Sequence, residues 1–154
     1  MTKQALTEMV AGLAVEADNR IVPVYEPDEF LENVESVQTA ARIILPSTEG
    51  DTHLLTLPSK GRGRMEWTIK ELLLYRPAGE GRGWLEVGYG MDAFIDSYAS
   101  KLAVANQDAS TGFCSISANV QDVTYQVGVF TYPTDGMYRF YGVLVTLRIL
   151  QFVS

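Results

Sequence analysis

Apolar and polar positions along this chain alternate between two periods, and the changes of period mark the elements. Leu6, Met9, Val10, Leu13 and Ala17 fall at i, i+3, i+4, i+7 and i+11, one stripe of a helix predicted over residues 2–18. Thr2 is placed to cap it and Asp18-Asn19 to end it. The stretch IVPVYEP, residues 21–27, carries two prolines and reads as extended, because each proline pushes the preceding residue out of helical geometry. Asp28 to Val37 reads as a short helical turn capped by Asp28, and Ala40 to Leu45 as a short strand stopped by Pro46.

From Met65 the period is two. Met65, Trp67 and Ile69 alternate with Glu66, Thr68 and Lys70, and then Leu72-Leu73-Leu74 is apolar on both faces. A strand over Met65–Tyr75 is predicted, more deeply buried at its second end. Trp84 to Tyr89 reads as the start of another strand, with Gly88 and Gly90 turning the chain into a second helix over about 91–106. There Met91, Phe94, Ile95, Tyr98 and Leu102 form the apolar stripe, and Asp92 and Asp96 sit in early turns where the helix dipole favours negative charge. Phe113 to Ala118 reads as a short strand that holds Cys114 as a small core residue.

The last third is almost entirely strand former: QDVTYQVGVFTY, a PTDG break, then MYRFYGVLVTLRILQFVS. Val123, Tyr125, Val127 and Val129 line one face of the first strand, and Tyr141, Val143, Val145, Leu147 and Ile149 one face of the second. Both sets are odd-numbered. A four-residue loop would oppose odd to even positions and split the stripe. A three-residue loop, Thr134-Asp135-Gly136, opposes Val127 to Val143 and Tyr125 to Val145, with Gly136 in the left-handed conformation that closes such turns. The element order implies an α+β fold: a single antiparallel, twisted β-sheet with two helices packed on one face, in one domain over 1–154. Residues 46–64 and 76–83, rich in glycine, proline and charge, are expected to project as loops or arms.

Charge narrows the function. The net charge of −7 argues against general nucleic-acid binding, which needs Lys and Arg to displace counterions. No apolar run approaches the roughly 20 residues of a membrane span, and Glu8 and Glu16 interrupt any signal-peptide core in residues 1–20. One cysteine makes no internal disulfide.

Catalytic constellations are weak. His53, the one histidine, lies in the glycine- and proline-bounded stretch and reads as a solvated loop residue, where a catalytic histidine needs rigid neighbours. One Cys and one His fall short of a zinc site. The GxG pairs in GRGRMEW and GEGRGWLEVGYG lack phosphate-loop context. No enzymatic activity, cofactor or metal is therefore expected. Two contact surfaces stand out instead. Lys60, Arg62 and Arg64 form a basic cluster between glycines, and Glu26, Asp28, Glu29, Glu32 and Glu35 an acidic stretch able to receive it on a neighbouring copy. Glu80 and Arg82 are further candidate contacts in the second arm. The competing readings are a small-ligand module with an apolar pocket lined by residues such as Trp67, Tyr98 and Tyr125, and an enzyme of unrecognised type.

The layout also resembles the tail terminator (tail-completion) proteins of long-tailed phages. The resemblance is carried by the N-terminal amphipathic helix, IVPVYEP, the short strand ARIILP, the long arm, WTIKELLLY, the glycine loop, the helix opened by GYGMDAFIDSYASKL and the final strand FYGVLVTLRIL. It covers nearly the whole chain as a pattern and order of elements. It implies a structural virion protein, assembled in the host cytoplasm, that forms a homo-oligomeric ring, usually a hexamer. That ring caps the tail tube and joins it to the head-tail connector protein, while DNA passes through without specific binding; the alternative the resemblance leaves open is another phage neck or minor tail component. An acidic chain suits such a pore.

Overall fold

The computed structural model describes residues 3–25, 40–45, 52–78, 83–131 and 138–153. The expected cap at Thr2, the turn at 28–37 and the hairpin loop at 132–137 lie outside the described residues.

Two long strands make the centre of the sheet. β6 (Gly63–Pro77) and β8 (Arg139–Val153) run antiparallel over their full length, and β7 (Ala118–Thr131) pairs antiparallel with the other edge of β8. On its outer edge β6 pairs with β4 (Ala41–Leu45) near one end and with β5 (Leu54–Thr56) near the other. β3 (Val24–Tyr25) lies parallel to β4. The order is β3-β4-β6-β8-β7, with β5 beside β4 on the same edge of β6. The fold is α+β with a mostly antiparallel sheet. It departs from the single antiparallel sheet expected in two ways, the parallel β3–β4 pair and a separate ribbon of β1 (Glu16–Ala17) and β2 (Arg20–Ile21).

That ribbon accounts for the shorter first helix. α1 spans Lys3–Ala11 and ends at Gly12 rather than running to residue 18. Asp18 and Asn19 have φ of 53° and 64° and make the tight turn between β1 and β2. A two-residue turn with both φ positive matches the twist of a hairpin, and Asp and Asn tolerate it best after glycine.

α2 (Trp84–Gln107) is one helix of 24 residues. The strand expected at Trp84–Tyr89 is its first turn and a half. The apolar stripe simply extends backwards: Val87 joins Met91, Phe94, Tyr98 and Leu102 in the core. Both glycines lie inside the helix. Gly90 is required there, because a Cβ at that position would lie 1.9 Å from the Tyr75 hydroxyl. The β6–β8 register shifts between Leu74 and Arg76, where the ladder skips Tyr75, whose ring lies 6.4 Å from that of Phe94.

Against the helices the sheet presents Ile69, Leu73, Val143, Val145, Leu147 and Ile149, all buried with Leu6 and Val10 of α1. The opposite face is divided. Ala41, Ile43, Leu72, Leu74 and Phe140 form a second buried cluster, as the doubly apolar run at Leu72–Leu74 predicts. The other end of that face is polar: Arg148 bridges Glu66 at 3.2 Å and Asp122 at 2.6 Å across three strands.

The β7–β8 register is the odd-to-odd one expected, with Val129 opposite Tyr141, Val127 opposite Val143, Tyr125 opposite Val145 and Val123 opposite Leu147. A bulge between Val120 and Asp122 changes parity, so Val120 and Val123 both pack on the helix side. The strand expected at Phe113–Ala118 is a 3₁₀ turn, Phe113–Ile116, followed by Ser117 at φ 57°. Asp108 organises the approach to it: its carboxylate accepts from the amides and hydroxyls of Ser110 and Thr111. Those bonds, the Thr111 hydroxyl foremost, hold the Asp108 carboxyl far below the usual range.

Candidate interaction surfaces

The most demanding polar site is inside the molecule. Arg42 on β4 and Glu71 on β6 are both fully buried and form a two-point ion pair, Nε to Oε1 at 2.5 Å and Nη2 to Oε2 at 3.3 Å. Arg42 also donates from Nη1 to the Leu13 carbonyl at 2.7 Å and from Nη2 to the Val10 carbonyl at 2.9 Å. It thus closes the C-terminal end of α1, whose last carbonyls have no partner within the helix. Tyr98 of α2 donates to Glu71 Oε2 at 2.6 Å, and its ring lies 5.4 Å from the guanidinium carbon. Burial pushes the Glu71 carboxyl up, against the pull of the Arg42 charge and of the hydrogen bonds from Arg42 and Tyr98. Burial, with the Glu71 charge and hydrogen bond adding to it, holds the Tyr98 phenol well above its ordinary value. Among the described residues no buried side-chain polar atom lacks a hydrogen bond. The network ties α1, β4, β6 and α2 together and presents nothing to solvent.

Sequence reasoning passed over Arg42 and Glu71, although a signal was there. The alternation that puts Met65, Trp67 and Ile69 on the helix side continues through Glu71 to Leu73. A carboxylate at a buried position requires a cation, because an unpaired buried charge costs several kcal/mol.

A second polar cluster holds the ribbon. Asp18 forms an ion pair with Arg76 and accepts from the Tyr75 hydroxyl at 3.1 Å, while the Arg76 guanidinium lies 4.5 Å from the centre of the Tyr75 ring. Glu16 N donates to Ser97 Oγ at 2.9 Å, joining the ribbon to α2.

Of the contact residues expected from sequence, Lys60, Arg62 and Arg64 are exposed on the β5–β6 hairpin. Glu26, Asp28, Glu29, Glu80 and Arg82 lie outside the described residues, as do Glu32 and Glu35. The stretch 46–64 is not simply a projecting arm. Residues 54–56 are β5 and 63–64 belong to β6, so this part extends the sheet; residues 46–51 lie outside the described residues. In the second expected arm, Arg76 and Pro77 belong to β6, and 79–82 lie outside the described residues.

The hairpin is apolar as well as basic. Leu54, Leu55 and Leu57 are exposed, Leu57 to 74%. α2 offers an exposed face of another kind: Leu85 is 90% and Tyr89 82% exposed, followed along the helix by exposed Asp92, Ala93 and Asp96. Large apolar side chains left this open commonly mark contact surfaces.

Between the hairpin and the end of β8 lies a cleft of about 460 Å³ lined by Arg62, Met65, Trp67, Gln151 and Phe152 among others. Trp67 Nε1 donates to Gln151 Oε1 at 3.1 Å, and the exposed His53 ring lies 5.0 Å from the Trp67 ring. Neither Tyr98 nor Tyr125 lines this cleft with Trp67. Tyr98 is fully buried with its hydroxyl committed to Glu71, and Tyr125 meets it edge-on at 6.0 Å. Cys114 is exposed on the 3₁₀ turn, not buried on a strand; its thiol donates to the Asn106 carbonyl at 3.2 Å. Among the described residues no cluster of His, Cys, Asp or Glu is placed to hold a metal ion, and no helix is long and apolar enough to cross a membrane.

No family model matches this chain, and no curated protein is detectably similar to it.

Proposed function

We propose that the protein is a structural subunit of a ring in a phage tail or neck, capping the tail tube and joining it to the head-tail connector. The observation that carries this reading is the pair of unlike exposed surfaces. One is the β5–β6 hairpin, with Leu54, Leu55 and Leu57 beside Lys60, Arg62 and Arg64; the other is the α2 face, with Leu85 and Tyr89 beside Asp92 and Asp96. Each combines apolar area with charge, and the signs are opposite. Two different complementary patches on one chain make a head-to-tail contact, and a head-to-tail contact that closes makes a ring. The resemblance to tail terminator proteins is what extends this reading to a phage virion and to a ring usually of six copies.

Electron microscopy of the purified protein mixed with tail tubes tests this. Rings seated on tube ends support it. Tubes that stay bare, with no ring at any protein concentration, exclude it.

The cleft beside Trp67 favours a second reading, a small-ligand module, since it combines apolar walls with the Arg62 charge. A compound that raises the melting temperature of the native chain but not of Trp67→Ala would support that reading.

A further inference from the structure

β7 is an edge strand without the usual protection. Among the described residues no strand pairs with its outer edge, and it is 14 residues long. Natural edges are blunted by lysine, proline, shortness or bulges, because a row of open backbone groups recruits another strand. The segment ANVQDVTYQVGVFT has no lysine and no proline. Its bulge, between Val120 and Asp122, and the Asn106 side chain, which accepts from the Val120 N–H and donates to the Val120 carbonyl, are confined to the first end, leaving Asp122–Thr131 regular. Its one charge, Asp122, is held by Arg148.

The middle of this edge is also apolar and open. Tyr125, Val127 and Val129 share the helix-side face; Tyr125 and Val129 are partly covered by the core, but Val127 is 45% exposed. Nothing in the strand repels a copy of itself. We infer that β7 pairs antiparallel with β7 of a second copy about a two-fold axis at Val127, making one continuous sheet across the two chains.

The register follows from the strand's own pattern. With Val127 opposite its symmetry mate, Tyr125 faces the partner's Val129 and Val129 the partner's Tyr125. One apolar row then crosses the interface, and aromatic–β-branched cross-strand pairs of this kind are favourable. The two Asp122 carboxylates fall at opposite ends of the paired segment, so like charges do not meet, although each chain carries a net charge of −7. A two-fold contact uses the β7 edge of both copies and leaves neither β7 to recruit a third. The pairing rests on the β7 edge alone. It does not depend on the ring reading, whose surfaces are the β5–β6 hairpin and the α2 face.

Sedimentation velocity on the full chain across a range of concentrations, with variants at the axis, is the test. The native chain is expected to show a monomer–dimer equilibrium. Val127→Lys sets two ammonium groups against each other and should weaken it by about tenfold or more, with far-UV circular dichroism unchanged because the side chain is surface-exposed. In a Cys114→Ser background, Val127→Cys should give a covalent dimer on mild oxidation, since directly opposed residues lie within disulfide reach. Gln126→Cys in the same background should not, because this register leaves the two copies of residue 126 two positions apart. A monomer at every concentration, a self-association indifferent to Val127→Lys, or a crosslink preferring residue 126 overturns the proposal. Rings that persist in Val127→Lys would leave the ring reading standing without the edge pairing.

Discussion

Gly90 of α2 and Tyr75 of β6 are packed so closely that a Cβ on residue 90 would lie 1.9 Å from the phenol oxygen and 2.4 Å from the ring carbon bearing it. On helix propensity alone, Gly90→Ala should stabilise the chain by about 1 kcal/mol. The contact reverses the sign. The Tyr75 ring is buried and its hydroxyl is bonded to Asp18, so it has little room to yield. We expect Gly90→Ala to destabilise by roughly 1–3 kcal/mol. Tyr75→Leu should relieve most of that loss in the double variant, giving a clear coupling energy in a urea-unfolding cycle. Additive effects would show that the ring moves aside freely.

The Arg42–Glu71 pair makes a sharper test. Arg42→Met leaves a buried carboxylate without its cation and should cost about 3–5 kcal/mol, lowering the melting temperature by roughly 10 °C or more. Replacing both partners, Arg42→Met with Glu71→Leu, removes the unpaired charge but also takes the Arg42 hydrogen bond from the Val10 and Leu13 carbonyls, each of which keeps one backbone donor. The double variant should therefore recover only part of the loss. Full recovery in differential scanning calorimetry would mean that the helix-end hydrogen bonds contribute nothing.

Alkaline pH should unfold the protein through its tyrosines. Burial raises the phenols of Tyr75, Tyr98 and Tyr125, with Asp18 adding to it at Tyr75 and Glu71 at the other two. The unfolded chain releases these protons from about pH 10, while the folded chain holds them. The folded state then binds more protons, so stability is fully present below about pH 10 and falls as pH rises above it, by up to about 1.4 kcal/mol per pH unit for a phenol as buried as Tyr98. Ultraviolet titration of tyrosinate should show a late step coincident with loss of near-UV circular dichroism. Tyr98→Phe should move that step to higher pH relative to its own neutral-pH stability. Smooth ionisation of every tyrosine in a folded protein would contradict this.

Replacing Lys60, Arg62 and Arg64 together with Ala should leave the fold intact, because changes at such exposed positions typically cost under about 0.5 kcal/mol each. Ring assembly on tubes should weaken at low salt, and the gap from the native chain should close at high salt, where the native contact is itself screened. Leu57→Ser should weaken assembly at all salt concentrations. Unchanged assembly in both variants would place the subunit contact elsewhere.

Periodicity determined much of this protein directly. The stripe through Met91, Phe94, Tyr98 and Leu102, the doubly buried end of β6 at Leu72–Leu74 and the odd-to-odd register of β7 on β8 are all written in neighbouring residues. A shift of one residue would turn a whole apolar set to the wrong face. The exposed basic cluster was legible from neighbouring residues too, since Gly61 and Gly63 alternate with its charges and leave no apolar side chain between them. What the tertiary structure decided were choices between local conformations of similar energy. Trp84–Tyr89 alternates well enough for a strand, and it is helical because Val87 reaches the core and Gly90 admits Tyr75. Phe113–Ile116 turns as 3₁₀ and leaves Cys114 in solvent, while Asp108 fixes the turn leading into it. α1 stops at Ala11, and a cation from 29 residues beyond Leu13 closes its end. No window of adjacent residues contains both Arg42 and Glu71, so the pair that joins four elements emerges only when the sheet brings them together.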